Sequence, residues 1–308
     1  MLRYREDVRT IATLAVCSLS AGAAWFFNPR GFLLVPVIGW LCALSWLCAV
    51  IAHNVVHGPV FRQRWLNRWF QVWVSLCYGF PISDYVPGHN LSHHRYLQRA
   101  EDVMRTSRVN FRWNLLNLVF FMAAVTPGIV RGNGQYLKQV GKTASLWRRQ
   151  LLLESVFVWG LKIAVLLVDW QRGLLFVWIP HLFANWGIVS VNLLQHDGCD
   201  ENDKVNHSRN FVGKLFNYFT LNNGYHGAHH DVPGLHWSLL PKYHAEHLAP
   251  TIHPALEQRS LFLYLVKTYL WPGKRLTYDG KPLVVTPLES KDWVQTDDTV
   301  PPDTMVAA

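Results

Sequence analysis

Residues 31–57 read GFLLVPVIGWLCALSWLCAVIAHNVVH. From Gly31 to Ala52 the run is almost unbroken in its apolar character, long enough to cross the roughly 30 Å hydrocarbon core of a bilayer as a helix of about 20 residues. It ends on His53 and His57, whose i, i+4 spacing puts both imidazoles on one face if the helix continues. A membrane helix that delivers a pair of metal-ligand side chains to the membrane surface is the pattern from which the rest of the chain is read.

Before it, Val8 to Phe27 forms a second apolar run, joined to the first by the tight reversal Asn28-Pro29-Arg30, so the two predict a helical hairpin. Leu151 to Trp170 and Gly173 to Gln195 predict another, hinged at Asp169 to Arg172 with Trp170 and Trp178 as interface anchors. Two further patches, Leu66 to Pro81 and Leu115 to Val130, are shorter and interrupted by proline, glycine or polar residues, and read as interfacial or half-buried helices. The expected fold is therefore an all-α integral membrane protein with four transmembrane helices in two hairpins beneath a cytoplasmic helical cap. The basic start Met1 to Asp7 leads into a first membrane helix and not a secretory signal, because a second apolar run follows almost at once without a small-residue cleavage site. Thirteen Arg or Lys lie between Arg62 and Arg149, against one in each hairpin turn (Arg30 and Arg172), which places both termini and the central segment in the cytoplasm. Gln295 to Ala308 carries Asp, Thr and Pro without apolar period and reads as a disordered tail.

Composition agrees. Half of the 308 residues are hydrophobic and only 16% are charged, with 15 Trp and 16 Phe. The formal charge of +9 sits beside apolar runs, where anionic lipid headgroups would meet it, so nucleic acid is not an expected partner and membrane lipid is. The five cysteines (Cys17, Cys42, Cys48, Cys77 and Cys199) are scattered without a CxxC pair, which argues against a disulfide framework or a zinc ribbon.

Of 15 histidines, nine fall in four groups that this topology places on one side of the membrane. After His53 and His57 come His89-Asn-Leu-Ser-His93-His94, then the lone His196 at the end of the last membrane helix, then His226-Gly-Ala-His229-His230. Nine imidazoles exceed what one ion can use, so two ions are implied, and nitrogen-rich sites suit iron, zinc or copper. A hydrolytic zinc site of the HExxH kind needs a glutamate after the first histidine. Asn54 and Asn90 stand there instead. A histidine-rich site at the membrane surface fed by apolar helices suits oxygen activation against an unactivated C–H bond of a lipid chain, which needs a redox metal. A membrane metal transporter is the remote alternative, disfavoured because the groups lie outside the bilayer and not along a path through it.

These groups resemble, in order and separation, the three histidine boxes of the membrane fatty acid desaturase and hydroxylase superfamily, over roughly Ala49 to Pro241, with Pro233, Trp237 and Leu240-Pro241 matching the usual continuation. The resemblance implies a desaturase-like membrane domain over residues 1–294 and a non-haem site with two Fe ions, using O2 as co-substrate. Its metal ligands would be His53, His57, His89, His93, His94, His196, His226, His229 and His230, with no catalytic residue separate from them. Similarity to the stearoyl-CoA desaturases adds Asn192, four residues before His196, as a ligand acting through water. The reaction implied is insertion of a C=C bond into an acyl or lipid-like substrate, with a hydroxylase or ketolase acting on a lipid, carotenoid or small amino-acid-derived substrate as the alternative. The third box opens with His226 where glutamine is common, and no HPGG haem motif is present. Electrons are thus expected from a separate ferredoxin, rubredoxin or cytochrome b5-type donor.

Among the remaining candidates, Asp84, Glu101, Asp102, Asp197 and Asp231 flank the boxes and could fix ligand rings, as metal-bound histidines commonly donate to carboxylates. Asn222 and Asn223 read equally as ring supports or as turn chemistry. His181 reads as a packing residue, and His244-Ala-Glu-His247 as part of a solvated helix.

Overall fold

A computed structural model describes residues 1–140, 145–286 and 288–294; the expected tail from Gln295 onward lies outside the described residues. The regular secondary structure of the described residues is helical apart from one pair of two-residue strands and two isolated bridges, and the chain divides into two compact units. One comprises Met1–Val86 with Leu137–Ile188, the other Pro87–Tyr136 with the described part of Val189–Asp298.

In the first unit, α1 (Val8–Phe27) ends on Asn28 in the left-handed conformation and returns through Gly31 into α2 (Leu34–Val55). Ala24, Leu41 and Phe176 form a buried apolar cluster with Ala21, Val37 and Ile38 packed against it. Helix α3 (Arg64–Tyr78) stops at Gly79, whose φ of +93° favours glycine; a Cβ there would also lie 2.1 Å from the His181 ring. His181 is buried in this packing. The chain then reverses into the short helix α4 (Ile82–Val86).

Glu154, fully buried, serves this reversal. Its carboxylate accepts from the Ser83 amide at 2.8 Å, the Ser83 hydroxyl at 3.0 Å and the Gln150 amide at 2.9 Å. A carboxylate in so apolar a helix is tolerated because non-helical backbone buried in a membrane protein must find its partners within the protein.

Helix α5 (Asn114–Val140) departs from expectation: the patch read as a short interfacial element is 27 residues long and continues through Pro127. Proline denies one donor to the turn before it, and that single loss is absorbed by the long ladder on either side. Helix α6 (Ser145–Val168) breaks at Asp169, whose Oδ1 accepts from the Arg172 amide at 3.1 Å, and α7 (Trp170–His196) follows. By length and composition five helical stretches could cross a membrane, Arg5–Phe27, Gly31–Val55, Asn114–Gln139, Leu146–Val168 and Trp170–His196, where four were expected.

The second unit holds the start of α5, the end of α7 and the short elements that follow: α8 (Lys214–Phe219), α9 (His226–Asp231) and the parallel pair β1 (Asn210–Phe211) and β2 (Glu257–Gln258). A C-terminal strap runs along α5. Trp293 is buried against Tyr136 and Gly132, Arg131 pairs with Asp292 at 3.1 Å, and Arg105 donates to the Leu288 carbonyl at 2.8 Å.

Candidate metal centre

The second histidine group lies on an unusual turn. Pro87–His93 is a π-helix, and His94 opens the short helical turn after it. Its wider winding brings side chains five apart together, and His89 Nε2 lies 3.1 Å from His94 Nε2. In α9, His226 and His230 are four apart and share a face, their Nε2 atoms 3.1 Å from each other.

Two sets form in this unit. In the first, ring nitrogens of His93, His196, His226 and His230 all lie within 4.8 Å of one another. In the second, His94 Nε2 is 3.1 Å from both His89 Nε2 and His229 Nε2. His53 and His57 belong to the other unit, at the end of α2 and just beyond it, with ring centroids 5.4 Å apart and His53 edge-on to Tyr85.

Two histidines have their tautomers fixed by what they touch. His196 Nδ1 lies 3.1 Å from the His207 carbonyl oxygen, which can only accept, so the proton sits on Nδ1 and Nε2 presents a lone pair. His93 Nδ1 lies 2.9 Å from Asp102 Oδ2, both side chains fully buried, and His93 Nε2 has no hydrogen-bond partner among the described residues. Asp102 is itself held, with Oδ2 accepting from the Gln98 amide at 2.8 Å and Oδ1 from the Met104 amide at 2.7 Å.

The first set fits a cation. Nε2 atoms of His196, His226 and His230 form a triangle with sides of 2.8, 3.1 and 3.2 Å. His196 contributes no proton, so no placement of protons on the other two turns all three sides into hydrogen bonds. One side always sets donor against donor or lone pair against lone pair. A shared ion removes the conflict: nitrogens about 2.1 Å from one metal, at right angles, lie about 3 Å apart. Burial, followed by the neighbouring rings of His94, His226, His196 and His93, pushes the His230 imidazolium well below the usual histidine range, which keeps the ring neutral as a ligand must be.

Asn192 is buried one turn before His196, and its Nδ2 donates to the Met104 carbonyl at 3.0 Å. Of the five flanking carboxylates, Asp102 meets a ring of the first set, that of His93. Asp197 instead pairs with Arg275, which also donates to the Thr106 carbonyl at 2.8 Å, and Asp231 lies 3.7 Å from His207. Asn222 takes the turn role, with φ of +59° and its amide donating to the Trp237 carbonyl at 3.1 Å. His244 is a correction: it is buried, 2.7 Å from Glu257 Oε1 and against the Tyr225 ring beside His226, while His247 is exposed. The glutamate that buries it comes from β2, out of reach of a local reading. His207 was missed because its contribution is a backbone carbonyl, for which no side-chain pattern exists.

Comparison with known proteins places these observations in context. A family model described as fatty acid desaturase matches residues 14–260. The chain is 24% identical over 260 residues to a sphingolipid delta(4)-desaturase of Komagataella phaffii, covering 75% of this chain and 66% of that protein, just under two thirds of its length. It is 25% identical over 272 residues to the sphingolipid delta(4)-desaturase/C4-monooxygenase DES2 of Bos taurus, covering 83% and 76%. It is also 21% identical over 278 residues to alkane 1-monooxygenase 2 of Alcanivorax borkumensis, covering 84% and 69%.

Proposed function

The chain belongs to the fatty acid desaturase family, and on that premise we propose that it is a membrane oxidoreductase that uses O2 to introduce a C=C bond into the hydrocarbon chain of a lipid. The observation that carries this reading is the nitrogen triangle of His196, His226 and His230, a donor set that no arrangement of protons satisfies and a shared cation would. His93, His196, His226 and His230 would hold one iron. His89, His94 and His229, with His53 and His57 assigned by their place in the first box, would hold the other, and Asn192 would act through water. Bound iron supplies oxygen activation.

The protein's own contribution is to fix how the ligand rings are turned. Asp102 fixes His93, and the His207 carbonyl fixes His196. The overall reaction removes two hydrogens from adjacent carbons and converts O2 to two waters. Two of the four electrons come from the substrate and two from a separate donor of the ferredoxin, rubredoxin or cytochrome b5 type. Hydroxylation is the second reading, favoured by the monooxygenases among the relatives. Long-chain sphingolipids are the first substrates to try, from the names of those relatives.

For topology, both termini and the metal ligands are proposed to face the cytoplasm, with α5 lying along the membrane surface and not through it. The strap supports this placement: were α5 to cross, the segment carrying Glu289, Lys291 and Asp292 beside it would enter hydrocarbon. Product analysis after expression with a labelled lipid tests the reaction. Loss of two hydrogens supports the desaturase, and gain of one oxygen the hydroxylase. An unchanged lipid pool with iron bound and a donor supplied refutes the proposed substrate class.

A further inference from the structure

The cysteines that look scattered in the sequence are not scattered in the fold. Cys17 on α1, Cys48 on α2 and Cys77 on α3 are all buried, all free, and their sulfurs lie within 4.8 Å of one another. Three of the chain's five cysteines thus meet at one point, brought there by three different helices of the same unit.

The surroundings narrow what three such sulfurs can hold. Among the polar side chains beside the sulfurs is Ser18, whose Oγ lies 3.3 Å from Cys77 Sγ. That hydroxyl is already used: it donates to the Leu14 carbonyl at 2.9 Å and accepts from Trp73 Nε1 at 2.9 Å. A tetrahedral zinc site requires a fourth ligand, and no histidine or carboxylate is grouped with the sulfurs among the described residues. A soft monovalent cation needs only two or three sulfurs, and thiolate ligands select Cu(I). Three sulfurs about 2.3 Å from a central ion would lie about 4 Å apart, within the spacing seen. Cysteine binds metal as thiolate, so binding releases thiol protons to solvent, and the resulting negative charge is offset by the ion, as an apolar helix interior requires of any charged group it holds.

We propose that Cys17, Cys48 and Cys77 form a binding site for a soft monovalent metal ion, Cu(I), separate from the histidine centre. Binding joins α1, α2 and α3, and one of its ligands stands on the helix that carries His53, five residues before it and so about 7.5 Å along the axis. The test uses the iron-loaded, full-length protein under anaerobic, reducing conditions, with Cu(I) supplied as its acetonitrile complex and the excess removed by desalting. One copper per chain should be retained with iron content unchanged, and X-ray absorption at the copper edge should show sulfur neighbours alone, at about 2.3 Å. Cys77→Ser should lower the retained copper at least tenfold, while Cys42→Ser leaves it unchanged. No retained copper, nitrogen or oxygen neighbours at the copper, or full retention in Cys77→Ser each overturns the proposal. The absorption measurement on the unaltered protein decides the matter by itself if Cys77→Ser does not fold.

Discussion

Substituting Asp102 tests how the protein holds its metal without touching a ligand. Its carboxylate meets three donors and no acceptor: His93 Nδ1 at 2.9 Å, the Gln98 amide at 2.8 Å and the Met104 amide at 2.7 Å. An asparagine can turn its oxygen to His93 and Gln98, but its NH2 group then faces the Met104 N–H. One of three bonds is lost, and a buried donor without an acceptor costs about 1–3 kcal/mol. Alanine removes all three and frees the His93 ring to rotate. Changes to groups that orient a ligand typically cost about 10- to 100-fold in metal affinity or activity. Asp102→Asn should therefore fall near the lower end of that range and Asp102→Ala near the upper end. The assay is iron retained per chain against a graded ferrous chelator, with turnover measured in parallel and thermal unfolding to show that each variant is folded. A folded Asp102→Ala with unaltered iron retention and turnover would refute the reasoning, because His93 would then be oriented by something else.

His196→Ala should abolish turnover and strip iron, whereas Asn192→Ala should lower turnover only modestly; equal and complete losses would argue for a direct bond from Asn192. His244→Ala should lower the unfolding temperature and weaken iron binding, because it removes a 2.7 Å bond to Glu257 and the ring packed on Tyr225 beside His226. His247→Ala, at an exposed position, should change neither, and a thermal scan with metal analysis on the two variants compares them directly. Cysteine labelling at residues 28–30 and 169–172 should occur from the side opposite the termini, and labelling at position 133 from the same side as the termini. Accessibility of position 133 from the opposite side would establish α5 as a fifth crossing.

The histidine sets were legible because their spacing is local. Residues four apart on one turn share a face in almost any helical setting, so the spacing alone pairs His226 with His230. His196 has no such local mark: its place at the end of the last membrane helix put it with the other groups, and the family resemblance then marked it as a ligand. What supports the rings was less legible. Five carboxylates flank the boxes, and which of them meets a histidine depends on how the loop from Gln98 to Met104 closes around Asp102, a tertiary matter. His244 looked solvated because its neighbours Lys242 and Glu246 are exposed, yet Glu257 reaches it from thirteen residues away. The α5 patch, Leu115 to Val130, reads as short and interrupted because its proline, glycine and polar residues weaken an isolated helix until packing overrides them.

The π-turn at Pro87–His93 explains how one short segment can serve both sets. In a regular α-helix, residues five apart diverge by about 140° around the axis, so His89 and His94 could not face a common ion. Bonding from i to i+5 widens the turn and brings them to 3.1 Å, while His93, one residue before His94, points instead toward His196 and His230, with ring centroids 4.9 and 5.0 Å away. Adjacent residues thus enter different sets, and the single residue between a four-spacing and a five-spacing separates them. Gly88 lies within this turn, where an added Cβ would meet Asn133 Oδ1, Ile129 and Val103 at 3.6 to 3.8 Å, ordinary contact distances. The winding is therefore not imposed by crowding at the glycine. The fixed point is at the other end, where the Ser92 hydroxyl donates to the Glu101 carbonyl at 2.9 Å and accepts from the Val103 amide at 3.0 Å, tying the turn to the segment that carries Asp102. The residue that orients His93 and the turn that presents it are thus held by the same short stretch of chain.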